Sequence, residues 1–147
     1  MAMRVMDDPS KNIPTQTPCT ILIIDDELSI LKATSIMLKD QGYNVFDTYD
    51  PFHAATIFTS YRIDAAIIDV CMPGIDGIQF AEMIQSISPE TAILLMSAHA
   101  ESPPAQKAQK MFGENFLNKS QLQDTLLKRV DAVLRRCATS DDTMHPV

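Results

Sequence analysis

An α/β fold, with a parallel sheet covered by helices on both faces, is what this sequence predicts, and three observations carry it. Residues 20–24, 65–68 and 92–96 are short, continuous apolar runs, the pattern of central strands buried on both faces. Between them the apolar residues fall three and four apart, the period of a helix packed along one stripe. Strand and helix alternate five times, which calls for right-handed crossovers between parallel strands.

The elements follow in order. Residues 1–18 are polar, contain Pro9, Pro14 and Pro18, and read as a flexible tail ahead of one domain at residues 19–137. The strand at 20–24 ends on Asp25-Asp26-Glu27. A helix over residues 28–41 places Ile30, Ala33 and Met37 on one side, with Leu31 and Leu38 nearby, and Gly42 as its stop. Residues 44–49 alternate more, with Val45 apolar and Asp47 polar, and belong at a sheet edge. Pro51 opens a second helix to about residue 61, with Ala54, Ile57, Phe58 and Tyr61 on its apolar face. The strand at 65–69 ends on Asp69 and breaks into Pro73-Gly74 and Asp76-Gly77, a loop rich in turn residues.

A third helix, residues 77–87, is expected to bury Phe80, Ile84 and Ile87 before Pro89. The strand at 92–96 leads to Ser97-Ala98-His99. Ser102 can cap a fourth helix, with Pro103 in its first turn and Pro104 stiffening the start. Residues 115–117 form a short last strand leading to Lys119. A closing helix over 121–136 carries the stripe Leu122, Leu126, Val130, Val133 and Cys137, with Leu127 and Leu134 beside it as core in preference to a surface patch. Residues 138–147 read as a tail or the beginning of a linker.

Composition narrows the function classes. Nineteen acidic against twelve basic side chains give a net charge of −7, which argues against direct binding to a nucleic-acid backbone. Cys19, Cys71 and Cys137 are odd in number and widely spaced, so neither a disulfide framework nor a zinc site is indicated, and a reducing cytoplasm is expected. No signal-peptide core and no apolar run near the roughly 20 residues of a membrane span is present, and the chain reads as soluble.

In a parallel sheet the strand ends share one edge, so the topology gathers Asp25, Asp26, Asp69, Ser97 and Lys119. Carboxylates a few ångströms apart repel by about 4 kcal/mol per pair at an effective dielectric near 20. The cluster therefore needs a counter-charge. Oxygen ligands with room for water and a phosphoryl group suit Mg²⁺, with Mn²⁺ as the second choice. A carboxylate can attack phosphorus and form an acyl phosphate, with an ammonium and a hydroxyl neutralising the phosphoryl oxygens.

These residues resemble the receiver domain of two-component response regulators, the CheY-like family. The likeness rests on Asp25-Asp26, the D-x-x-M-P-G-x-D-G run from Asp69 to Gly77, Ser97-Ala98 and Phe116-Leu117-Asn118-Lys119, and covers about residues 19–136. It implies a flavodoxin-like (βα)5 fold with strand order 2-1-3-4-5, and phosphoryl transfer to Asp69 from a sensor histidine kinase or a histidine phosphotransfer protein. The resemblance makes Asp26, Asp69 and the Cys71 backbone carbonyl direct Mg²⁺ ligands, and Asp25 a ligand through water. Lys119 and Ser97 would meet the phosphoryl group, Ala98 beside them, and Phe116 would hold the aromatic switch position. Cys71 and His99 would border the site and tune hydrolysis. An effector protein or output domain would read helix 4, strand 5 and helix 5, and the same surface could pair two copies of the chain.

Three positions depart from the family pattern. Ser120 stands where Pro is usual, in a cis peptide bond that would cost a non-proline residue about 2.5 to 4 kcal/mol. Phe116 lacks the hydroxyl of the common Tyr, so a switch there acts through ring packing. Pro103-Pro104 alters the start of the fourth helix. Two rival readings remain beside the first: a receiver-like interaction module that works without phosphate, and an aspartyl-phosphate phosphohydrolase. The hydrolase reading lacks the acid such enzymes usually carry two residues past the nucleophile, where this chain has Cys71. For single residues the plainer readings are helix-start acids for Asp25-Asp26, a rim histidine for His99 and an unreactive thiol for Cys71.

Overall fold

The computed structural model describes residues 18–144, with side chains to residue 135. Its elements are β1 (Thr20–Ile24), α1 (Leu28–Asp40), β2 (Asn44–Thr48), α2 (Pro51–Ser60), β3 (Ala65–Asp69), α3 (Gly77–Ile87), β4 (Ala92–Ser97), α4 (Pro103–Phe112), β5 (Phe116–Asn118) and α5 (Leu122–Met144). The five strands form one parallel sheet in the order β2-β1-β3-β4-β5, the 2-1-3-4-5 order the resemblance implies.

Alternate strand residues build two cores. Leu22, Ile24, Ala66, Ile68, Ile93 and Leu95 meet α2, α3 and α4 through Ala54, Ile57, Phe80, Ile84 and Ala108. Ile21, Ile23, Ala65, Ile67, Leu94 and Met96 face α1 and α5 through Leu31, Leu38, Leu126 and Val130. Burial on both faces is why these strands read as unbroken apolar runs. The two edge strands, β2 and β5, have mixed patterns.

Several expectations need correction. The buried stripe of α1 is Leu31, Thr34, Ser35 and Leu38, whereas Ala33 is exposed and Ile30 and Met37 are half-buried. Helical spacing defines the stripe's width but leaves its centre free to rotate by a residue when apolar residues border it on both sides. Tyr61 lies past the end of α2, exposed, with its ring 4.7 Å from that of Phe46. Ile87, at the last turn of α3, is exposed. On α5, Leu134 is core and Val133 only half-buried. The helix itself runs on to Met144, past the expected end at residue 136, because no Gly or Pro interrupts the sequence before Pro146. The tail expected at residues 1–18 falls almost wholly outside the described residues, as does the side chain of Cys137.

Other details hold. Ser102 Oγ accepts a hydrogen bond from the Ala105 N–H at 3.3 Å, capping α4 with Pro103 in its first turn. No described peptide bond is cis, and Lys119–Gln121 forms a short 3₁₀ turn in which Asn118 Oδ1 accepts from the Ser120 N–H at 3.0 Å.

Candidate functional site: an acidic cluster bridged by a lysine

Asp25 follows β1 directly, and its N–H donates to the Thr48 carbonyl at 3.2 Å, tying it to the end of the neighbouring strand. Asp69 is the last residue of β3. Both carboxylates are buried, Asp25 at 0% and Asp69 at 3% exposure, while Asp26 is exposed. The loop after Asp69 is shaped by its own residues. Cys71–Met72 pairs antiparallel with Ile75–Asp76 around Pro73-Gly74, and Gly74 carries the positive φ of 74° that such a turn requires. Asp76 then caps α3, its Oδ1 accepting from the Ile78 and Gln79 N–H groups.

Gly77 opens α3 directly against the Asp69 backbone. A Cβ there would stand 2.4 Å from the Asp69 carbonyl oxygen and 2.8 Å from Val70 Cα. Only a glycine permits this approach.

Lys119, delivered by the end of β5, joins the acids. Its Nζ lies 3.0 Å from Asp25 Oδ1, 2.9 Å from Asp25 Oδ2, 3.0 Å from Asp69 Oδ2 and 3.3 Å from Glu27 Oε1. The lysine side chain is 6% exposed, so these contacts are made largely out of water. Asp25 Oδ1 also accepts the Glu27 N–H at 2.9 Å, and Asp69 Oδ1 the Cys71 N–H at 3.1 Å. Asp25 Oδ2, though close to the ammonium charge, has no aligned hydrogen bond and is fully buried.

The electrostatics follow from this crowding. Burial first, and then the carboxylate of Asp25, push the Asp69 pKa up from 3.8 to about 7, against the opposing pull of Lys119. For Lys119 burial is the largest single effect and acts downward, but Asp25 and Asp69 together outweigh it and raise the pKa above its ordinary value. The ammonium thus stays charged, and the proton, when one binds, goes to Asp69.

Asp25, Asp26 and Asp69 bring carboxylate oxygens within 4.8 Å of one another. Three hard oxygen donors and a buried carboxylate oxygen without a hydrogen bond are what a divalent cation of the Mg²⁺ type requires, and the residues fit such an ion. His99 and Ala98 are exposed in the loop after β4, outside this convergence. Ser97 ends β4 next to Asp69's strand, 1% exposed, with its Oγ accepting from the His99 N–H at 3.0 Å. Phe116 pairs in register with Leu95, half-buried against the α2, α3 and α4 core. Cys71 is a free, exposed cysteine. Sequence reasoning gives Glu27 no role at the site; its signal was the third consecutive acid after β1.

Comparison with known proteins bears on the whole of this arrangement. The model of the response regulator receiver domain matches residues 21–131. The chain is 27% identical over 85% of its length to the transcriptional regulatory protein GlrR of Escherichia coli K12. It is 33% identical over 80% of its length to the phosphoglycerate transport system regulator PgtA of Salmonella typhimurium. It spans only 28% of the length of each of these two relatives. Among solved structures, TrrA of Thermotoga maritima, crystallised with Mg²⁺ and a beryllium fluoride, is 28% identical with a TM-score of 0.66, over 78% of this chain and 98% of that one. Chemotaxis protein CheY4 of Vibrio cholerae is 29% identical with a TM-score of 0.65, over 80% and 99%. Sequence, strand order and acidic edge agree: the chain belongs to the receiver domains of two-component response regulators.

Proposed function

We propose that Asp69 accepts a phosphoryl group from the phosphohistidine of a sensor kinase or phosphotransfer protein, and that the chain acts enzymatically on itself alone. The observation that carries this reading is the Lys119 ammonium lying 3.0 Å from Asp69 Oδ2 and 2.9 Å from Asp25 Oδ2 at the carboxyl edge of the sheet. An oxygen of Asp69 attacks phosphorus, the P–N bond breaks, and the imidazole leaves with the bonding pair and takes up a proton. Lys119 then turns from the carboxylates to a phosphoryl oxygen, and Ser97 donates its hydroxyl proton to another. Asp25, Asp26, Asp69 and the Cys71 backbone carbonyl would hold Mg²⁺ or Mn²⁺, which supplies positive charge for the transferring phosphoryl oxygens. Cys71 and His99 border the site and set access for the water that later hydrolyses the acyl phosphate.

The consequence for signalling is a population shift on α4, β5 and α5, with Ser97 moving toward the phosphoryl group and Phe116 repacking behind it. An effector or output domain reads this surface, in keeping with the regulators among the relatives. The net charge of −7 speaks against direct nucleic-acid contact by this domain, and among the described residues no helix is long and apolar enough to cross a membrane.

The test is incubation with a small phosphodonor and Mg²⁺, followed by assay for hydroxylamine-sensitive phosphate. Wild type should take up close to one equivalent, and Asp69→Asn none. Equal uptake by the two, or none by either, ends the proposal.

A further inference from the structure

We infer that Glu27 is a positioning residue that receives the Lys119 ammonium when a divalent cation takes over Asp25 and Asp69; the inference rests on the metal-dependent reading above. Lys119 Nζ now occupies the carboxylate oxygens that such a cation needs, at 2.9–3.0 Å from both Asp25 and Asp69. A cation entering among Asp25, Asp26 and Asp69 meets a positive charge already on two of its three ligands, so the ammonium must yield. Among the described residues three carboxylates touch that ammonium, and Glu27, with Oε1 at 3.3 Å, is the one outside the converging set.

Glu27 is built to stay within reach. Its N–H donates to Asp25 Oδ1 at 2.9 Å and its carbonyl accepts the Leu31 N–H at 3.0 Å, so its backbone is fixed to the site on one side and to α1 on the other. Its side chain is 54% exposed, at the mouth of the cluster. The carboxylate is therefore well hydrated and free of other duty. Drawing Lys119 toward it opens the inner oxygens and leaves the ammonium at the entrance, where an arriving phosphoryl group meets it.

Charge and reach can be separated experimentally. Glu27→Gln removes the charge and keeps the reach, whereas Glu27→Asp keeps the charge and withdraws it by about one C–C bond, roughly 1.5 Å. Because the chain has no Trp, Mg²⁺ binding is best followed by titration calorimetry, with metal-free melting recorded alongside. Both variants should weaken Mg²⁺ by about fivefold, the equivalent of roughly 1 kcal/mol. Their metal-free melting should stay near that of wild type, as expected for an exposed ion pair. With a small phosphodonor, both should lower the uptake rate at limiting Mg²⁺ and recover it at saturating Mg²⁺. If Glu27→Asp binds Mg²⁺ as wild type does, only the general field matters and the inference is overturned; unchanged binding in both variants overturns it equally. If wild type itself binds no Mg²⁺, it is the metal-dependent reading that fails.

Discussion

The centre of the sheet and its β5 edge are built to different standards. β3 is paired on both sides, against β1 from Ala65 to Ile68 and against β4 from Ala65 to Asp69. β5 is paired on one side across three residues, Phe116 to Asn118. The acids Asp25 and Asp69 extend from the doubly paired strands, while Lys119 arrives from the lightly held edge. A site assembled this way has a rigid anionic half and a cationic half that can shift, and the surface proposed to carry the signal lies on the side that shifts.

The sharpest way to break this contrast is to damage the rigid half. Gly77→Ala puts a methyl group 2.4 Å from the Asp69 carbonyl, with backbone and not a flexible side-chain end in its way. Because the doubly paired strand has little freedom to retreat, we expect a loss of about 3 kcal/mol or more, measured by urea denaturation. Phosphoryl uptake should fall with it.

Removing the cation tests the other half. Lys119→Met leaves Asp25 and Asp69 buried without their shared ammonium. We expect a loss of about 3 kcal/mol at pH 8 in metal-free protein, much of it recovered with Mg²⁺. A loss that Mg²⁺ does not relieve would show that the lysine supports the fold through packing.

Between these lies the proton. The folded pKa of Asp69 is about 7 against an ordinary 3.8, so between those values the folded state binds more protons than the unfolded one. This group's contribution to stability is greatest below pH 4, declines as pH rises toward 7 and is flat above. For an isolated group that shift would amount to roughly 4 kcal/mol; because Asp69 is tightly coupled to its charged neighbours, about 2 kcal/mol is expected. Asp69→Asn should abolish this slope and melt higher than wild type at pH 8 without metal. A wild-type profile that rises from pH 4 to 7 on account of this residue would contradict the burial argument.

What the sequence made legible divides along the same line. The central strands were readable because burial on both faces demands unbroken apolar runs, and Asp25, Asp69 and Lys119 because parallel topology sends strand ends to one edge. The turning of α1 toward Leu31, Thr34 and Ser35 was not, since two polar residues with small side chains sit in its buried stripe and hide it. Nor was the exposure of Tyr61 and Ile87, each at or past a helix end where the spacing rule has no further turn to constrain it. Glu27 was hidden for another reason: a third acid after a strand reads equally well as the start of a helix, and only the 3.3 Å contact with Lys119 separates the two.

The smallest effect expected is a local one on α4, whose cap belongs to the side that shifts. Ser102 Oγ accepts one N–H, from Ala105 at 3.3 Å, and Gln109 Nε2, in the second half of the helix, adds a 2.7 Å bond to the Ala100 carbonyl, tying α4 to the loop that carries His99. Ser102→Ala should cost about 1 kcal/mol. If α4 is a separately opening unit, that loss should appear as faster hydrogen exchange confined to α4 and its loop, with β3 and β1 unchanged. Asp76→Ala is the matched control, since Asp76 caps α3 against the rigid half with bonds to two N–H groups. Its loss should spread to the exchange of β3, because α3 begins on the Asp69–Val70 backbone. Equal spread from both caps would mean that the two halves of the domain open together, and the division drawn from strand pairing would not survive.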